Sequence, residues 1–331
     1  MASNPSPLRL DAPFPWFGGK RKVAADVWKQ FGTVTNYLEP FFGSGAVLLG
    51  RPAGWTGVES INDLDGYVTN FWRSVKYSAA STAEWASNPI NENELHARHV
   101  WLLQHKDTLR GQLEGNPDWH DPKIAGWWVW GISNWIGSGF CSGKGAWSVN
   151  DAGQLVPLKS TTRGLSRQRP HIDRSGNGVS RSGKDIVAWF AALSERLHTV
   201  RIYSGDWSRI CNAKMAVRAG VTGVFLDPPY ADTANRVEDL YRMDSLSVAH
   251  AVRLWAIENG DNPNLRIALC GYAGEHHMPD TWTEQSWSAT GGYGRTTHAV
   301  ENTDKERIWF SPHCVAPSVP LVPSSASNSL F

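Results

Sequence analysis

Between residues 35 and 75 the chain alternates in a way that few fold classes accommodate. TNYLEPFFGSGAVLLG (35–50) reads as a short strand, a glycine-rich turn and a helix beginning near Ala46. GWTGVESIND (54–63) reads as the next strand, ending in polar residues, and LDGYVTNFWRSV (64–75) as the next helix. Strands joined through helices by short turns make parallel units, so the expected class is α/β. The sheet is expected to be mostly parallel and Rossmann-like, with helices on both faces. The same alternation returns late in the chain. DIVAWFAALSERLH (185–198) is an amphipathic helix, and TVRIYSGDW (199–207) and GVFLDPPY (223–230) are strands. SLSVAHAVRLWAIEN (245–259) is helical, LRIALCGY (265–272) a buried strand, and ERIWFSP (306–312) a strand stopped by proline.

The segment between the two halves is of another kind. Helical stretches such as NENELHARHVWLLQHKDTL (91–109) and IAGWWVWGISNWI (124–136) alternate there with loops rich in Gly, Ser and Asn. From 159 to 184, Lys159, Arg163, Arg167, Arg169, Arg174, Arg181 and Lys184 face a single acid, Asp173, although the whole chain carries a net charge of only +1. Such a cluster is either a phosphate-binding surface or a solvated loop. The chain therefore divides into the two parts of one α/β domain, 1–79 and 185–312, an insert at 80–184, and a Pro/Ser-rich tail at 313–331 expected to be disordered. No apolar run approaches membrane-span length, and the opening MASNPSPLRLDAP lacks a signal-peptide stretch. Cys141, Cys211, Cys270 and Cys314 stand far apart, which argues against a metal site or a disulfide framework and for a reduced, cytoplasmic setting. The 18 tryptophans imply an indole-rich core.

In EPFFGSGAV, Gly43 and Gly45 allow close backbone approach at the mouth of a parallel sheet. Asp63 closes the following strand 18 residues after Gly45, about where an acid would accept from ribose hydroxyls. Position 48 is Leu, so the full G-x-G-x-x-G pattern fails, and no G-K-[ST] follows; both argue against NAD or ATP. Glu39, just before the turn, would repel phosphates and suits a cationic ligand. S-adenosylmethionine satisfies all three observations. Asp65 reads as a helix N-terminal acid.

The strand of GVFLDPPY stops at an acid followed by Pro228 and Pro229, which fix φ twice and remove two backbone donors. The Asp227 side chain and the Pro228 carbonyl can then form a rigid pair of acceptors, one for each N–H of an exocyclic amine. Tyr230 offers a face on which a heterocycle can stack. Two fixed acceptors favour the pyramidal amine whose lone pair points at an electrophilic methyl group. The bland alternative is a proline-stiffened strand-to-loop turn.

WFGGK (16–20), EPFFGSG (39–45) and DPPY, in that order, resemble the N6-adenine DNA methyltransferases of the Dam-like α group. SGDW (204–207), NPNLRIALCGY and KERIWFSPHC are similar to a phage or prophage branch. The resemblance implies a site-specific adenine methyltransferase acting on double-stranded DNA with S-adenosylmethionine, without a metal or a membrane, and admits a restriction endonuclease as partner. It puts Trp16, Gly18, Gly19 and Lys20 around the methionine end of the cofactor. Glu39, Pro40, Phe41, Gly43 and Gly45 become the cofactor loop, with Asp63 on the ribose and Asp206 at the cofactor adenine. Lys20 is read as a cofactor or DNA contact, its bland alternative being a surface lysine after a Gly-Gly turn, and Asp206 could simply cap the turn WSRI. Asp227, Pro228, Pro229 and Tyr230 would hold the target adenine, which must leave the duplex to be reached.

The insert would read the DNA. WGISNWIGSGFCSGKGAW (130–147) aligns Asn134 with the family's reading segment but lacks its Asn-Gly pair and arginine, so no recognition sequence follows. Lys144, Arg163, Arg167 and Arg169 are the expected DNA contacts. Trp127, Trp128, Trp130 and Trp135 lie on more than one helical face and belong to the core, unless one wedges into the base stack. Two rivals remain at this stage. An N4-cytosine enzyme would use the same amine chemistry, though more often with Ser before the prolines. A non-catalytic DNA-binding protein could retain the cofactor fold.

Overall fold

The computed structural model describes residues 10–16, 19–135, 140–141, 147–150, 152, 155–157, 186–229, 240–287 and 306–315. Its elements run α1 (Ala24–Phe31), β1 (Asn36–Glu39), α2 (Ala46–Leu49), β2 (Val58–Asp63), α3 (Gly66–Ala86), α4 (Glu92–Gln104), α5 (Lys106–Gly115) and α6 (Pro122–Asn134). They continue with β3 (Trp147–Val149), β4 (Leu155–Pro157), α7 (Ile186–Leu197), β5 (Arg201–Ser204), α8 (Ala213–Ala216), β6 (Thr222–Leu226), α9 (Leu240–Asn259), β7 (Leu265–Tyr272), β8 (Thr283–Ser286) and β9 (Glu306–Phe310). Seven strands form one sheet in the order β5-β2-β1-β6-β7-β9-β8. The first five are mutually parallel, and β9 is antiparallel to both of its neighbours. The strands β3 and β4 pair separately. Going along the chain, β1, β2 and β5 build outward in one direction, while β6 and β7 build in the other. The order therefore reverses between β1 and β6, which is where such sheets open a crevice at their carboxyl ends.

Alternation along the strands sends side chains to two faces, and each face has its own core. Tyr37, Phe225, Ala268 and Cys270 pack with residues of α1, α3, α6 and α7. Leu38, Val224, Leu226, Ile267 and Leu269 pack with Ala216 of α8 and with Val252 and Ala256 of α9. The α/β architecture with helices on both faces thus stands as the sequence suggests.

The helical part of the insert is not a separate unit. The α3 helix runs past residue 79, with a non-helical residue at Ser78, and Trp128 of α6 meets Phe14 and Phe71 at ring distances of 5.1 and 5.9 Å. Trp128, Trp130 and Trp135 are buried, as are Trp28, Trp72, Trp189, Trp282, Trp287 and Trp309, so at least half of the 18 tryptophans lie in the core. Lys123 lies 4.7 Å from the Trp101 ring and 4.5 Å from the Trp127 ring, and Arg98 lies 4.4 Å from the Trp130 ring. These cation–π contacts tie α4 to α6. Basic residues of α3 also reach the edge strand β5 and the residue before it, for Arg73 donates to the Ile202 carbonyl at 3.3 Å and Lys76 to that of Val200 at 2.7 Å.

Three expectations need revision. The single helix read over 91–109 is two, α4 and α5, meeting at His105, whose ring stacks on Trp101 at 3.7 Å. The β8 strand, TEQS, was invisible because it is polar and exposed on a sheet edge. Residues 313–315, read as tail, are docked, and the Val315 N–H donates to the Gln30 carbonyl at 2.7 Å. Asp65 does cap α3, accepting from the Tyr67 N–H at 2.9 Å.

Glu59 of β2 is 1% exposed and joins three elements. Arg196 of α7 grips its carboxylate at 2.6 and 2.8 Å, Arg51 adds a bond at 3.0 Å, and Arg196 also donates to the Leu48 carbonyl of α2 at 2.8 Å. Arg196→Met is expected to lower the unfolding free energy by roughly 3 kcal/mol, because breaking a buried pair strands its partner. Denaturant titration reads this; a loss under about 1 kcal/mol would show that Arg51 alone satisfies Glu59.

Candidate active site

The site is assembled from strand ends. β1 finishes at Glu39 and the chain turns through Pro40–Gly45 into α2. Gly43 and Gly45 adopt φ values of +46° and +67°, left-handed conformations that side chains resist. Packing excludes side chains as well. A Cβ on Gly43 would lie 2.3 Å from Trp16 Nε1, and one on Gly45 would lie 2.5 Å from Phe42 Cζ. Sequence reasoning takes these glycines as room for a ligand. In the structure the nearest claimants to that space are the chain's own aromatic rings, and Trp16 is thereby laid against the turn.

The turn is fastened from several sides. The Gly43 N–H donates to Asp63 Oδ2 at 2.8 Å, the Phe42 N–H to the Asn62 carbonyl at 3.0 Å, and Trp72 Nε1 to the Gly43 carbonyl at 2.9 Å. Asn62 Nδ2 donates to the Pro40 carbonyl at 3.1 Å and to the Gly205 carbonyl at 2.8 Å. One buried amide thus links the loops after β1 and β5 to the end of β2. Neither Asn62 nor Trp72 is flagged by the sequence; Asn62 reads as one polar residue in a polar strand end.

Electrostatics single out two acids. Glu39 is buried and accepts from the Tyr37 hydroxyl at 2.7 Å. Burial pushes its carboxyl well above the usual range, the Tyr37 hydrogen bond opposes this, and the charge of Asp227 adds to it. Asp63 is raised to about 7 by desolvation first and by neighbouring Asp65 second. Its oxygens already accept from the N–H groups of Gly43 and Asp65, at 2.8 Å each. A carboxylate has about four lone-pair sites, so acceptor capacity remains. Asp206 is exposed and accepts from the Ser208 N–H at 2.9 Å, capping the short turn Trp207–Arg209. Beside it, Phe41 and Trp207 lie at an interplanar angle of 27° with centroids 6.3 Å apart.

Across the reversal point, Asp227 follows the last residue of β6, the strand hydrogen-bonded to β1. It is close enough to Glu39 to perturb that carboxyl. Pro228 is buried and Pro229 exposed. Lys20 Nζ reaches Asp227 Oδ1 at 2.9 Å, and Lys20 is itself only 4% exposed. Trp287 presents its ring 5.5 Å from the ammonium. Glu306, buried at the start of antiparallel β9, and Cys270 also bear electrostatically on Lys20. Glu306 and Trp287 escape sequence reasoning because they come from distant segments without a motif.

The structure thus gathers Trp16, Lys20, Glu39, Pro40, Phe41, Gly43, Gly45, Asp63, Asp206, Asp227, Pro228 and Pro229 at one edge of the sheet, with exposed Gly19 immediately before Lys20. It does not bring Asn134 to a surface. That residue is fully buried, and its amide donates to the Trp130 carbonyl of its own helix at 2.8 Å, so the expected DNA contact is corrected to a core position. Gly18, Tyr230, Lys144, Arg163, Arg167 and Arg169 lie outside the described residues. Among the described residues no group of three or more His, Cys, Asp or Glu is placed to hold a metal ion, and no helix is long and apolar enough to cross a membrane.

Comparison with known proteins bears on the first half of this site. No curated protein matches the chain. A family model described as D12 class N6 adenine-specific DNA methyltransferase matches residues 16–108, from Trp16 through the glycine turn and Asp63 to α5. Over that segment the chain is similar to the D12 class N6 adenine-specific DNA methyltransferases.

Proposed function

We propose that the crevice between the ends of β1 and β6 transfers a methyl group from S-adenosylmethionine to N6 of an adenine swung out of double-stranded DNA. The family supports adenine-N6 methylation, and methyltransferases of this kind use S-adenosylmethionine in general. The observation that carries the assignment of residues is the proximity of Asp227 to Glu39 across the switch point.

The donor set fits that cofactor. S-adenosylmethionine supplies an electrophilic sulfonium methyl, and it also carries an ammonium, a ribose diol and a planar base. Glu39 is the acid for the ammonium, with Trp16, Gly18 and Gly19 along the methionine arm and Pro40, Phe41, Gly43 and Gly45 forming the turn. Asp63 has acceptor capacity left for the diol. Phe41, Trp207 and Asp206 suit the base. On the other side, the Asp227 carboxylate and the Pro228 carbonyl accept the two N–H groups of the target amine, and Tyr230 stacks on its ring. This favours a pyramidal nitrogen whose lone pair points at the methyl group, and the proton leaves after transfer. Lys144, Arg163, Arg167 and Arg169 would hold phosphates, positioning the duplex without reading it. A reduced cytoplasmic setting agrees with four free cysteines, and a restriction endonuclease partner remains part of this reading.

Labelled cofactor incubated with adenine-containing and dG·dC-only duplexes tests the reaction. Label is expected in the first duplex alone, whereas label in the second would favour the N4-cytosine alternative. Asp227→Ala should abolish transfer and leave cofactor binding measurable; loss of both together would make Asp227 a structural residue.

Cofactor affinity should also depend on pH. The charged form of Asp63 is the one that accepts from hydroxyls, and its carboxyl titrates near 7, so protonation competes with binding. Affinity is expected to fall roughly tenfold between about pH 8 and about pH 6. Asp63→Asn should bind more weakly and flatten this dependence; calorimetric titration reads both. An unaltered slope in the variant would remove Asp63 from the cofactor site.

A further inference from the structure

We infer that Lys20 is a positioning residue for the target amine: its ammonium fixes the Asp227 carboxylate, and it does not serve the methionine arm of the cofactor. The inference rests on the function proposed above and reassigns one residue of that site.

Four observations carry it. The Nζ–Oδ1 distance is 2.9 Å, while Lys20 is 4% and Asp227 22% exposed, so the pair sits at a boundary with the carboxylate toward solvent. Burying an ammonium costs several kcal/mol unless its partners are well placed. Here they come from three directions: Asp227 after β6, Glu306 at the start of β9, and the Trp287 ring. Burial lowers the lysine pKa, but Asp227 first, then Cys270 and Glu306, hold it above its ordinary value, so the group stays a cation. Its backbone is anchored too. The Lys20 carbonyl accepts from the Val23 N–H at 3.1 Å, and Val23 and Ala24 are buried, which limits where the side chain can swing.

The same short segment contacts both halves of the site. Trp16 lies against Gly43, in the turn proposed for the cofactor, and Lys20 pairs with Asp227, four residues later and at the other strand end. The two residues grouped together by resemblance therefore divide the work. Asp227 stands just beyond the last ladder residue of β6, with its carboxylate 2.9 Å from the Lys20 ammonium. The lysine constrains that carboxylate, and reactive geometry loosened by about 1 Å can cost on the order of 100-fold in rate.

The test uses the full chain with Lys20→Met and Lys20→Arg. Affinity for S-adenosylhomocysteine, kcat and the duplex KM are measured for each. The expected result for Lys20→Met is cofactor affinity within about threefold of the parent and kcat lower by on the order of 100-fold. Lys20→Arg should recover most of that loss, because it keeps the cation. A fall in cofactor affinity that matches the fall in kcat would return Lys20 to the cofactor and overturn the inference. So would a kcat within threefold of the parent. A second measurement needs no turnover: a double-mutant cycle of duplex affinity combining Lys20→Met with Asp227→Asn, in the presence of S-adenosylhomocysteine. Strong non-additivity is expected, and additivity sinks the proposal. Lys20→Arg carries the same cycle if Lys20→Met does not fold. Should the parent protein transfer no methyl group to adenine, the proposed function fails, while the binding cycle still reads the Lys20–Asp227 coupling.

Discussion

Five parallel strands release their carboxyl ends at one edge, and the reversal of order between β1 and β6 puts Glu39 and Asp227 at the ends of adjacent strands, near enough for the charge of Asp227 to bear on Glu39. Like charges so close in a partly dry setting are unfavourable. Much of the surrounding chemistry is an answer to that constraint. Burial first, with the charge of Asp227 adding to it, pushes the Glu39 carboxyl above its usual range against the opposing Tyr37 hydrogen bond, while a buried lysine pairs with Asp227. The place is thus organised around acceptors. The methyl transfer proposed above would draw on such electrostatic preorganisation, since it involves no strong base.

Much of this was legible in the residues. The strand–turn–helix rhythm of 35–75, the strand at 265–272 and the stiff corner at 227–229 all follow local rules of period, glycine and proline, and each is where those rules put it. What stayed hidden depends on tertiary context. Nothing in TEQS announces a strand, because β8 is exposed and polar and owes its pairing to β9. Asn134 sits in an apolar helical run and resembles a reading residue only by alignment; the packing of α6 against α3 buries it. The positive φ of Gly43 and Gly45 fits the conformational freedom read from the sequence, but Trp16 and Phe42 occupy the space beside them.

Lys20 shows the same limit at the level of chemistry. In sequence it belongs with Trp16, and a motif treats the two as one contact set. In space its partners are Asp227, Glu306 and Trp287, more than 200 residues downstream. The family match ends at residue 108, well before any of them. Similarity over the first third of the chain therefore speaks to the cofactor side, and only the fold connects it to the target side.

Asn62 has a consequence for how the mouth of the site moves. Its single amide is hydrogen-bonded to both Pro40 and Gly205, and the adjacent Asp63 ties down Gly43. Loops from three separate strands are thus latched to one another, and none can open without straining the rest. Their backbone amides should exchange with solvent as a single cooperative unit rather than loop by loop. The floor of the crevice between β1 and β6 is thereby braced from three strand ends through two neighbouring side chains.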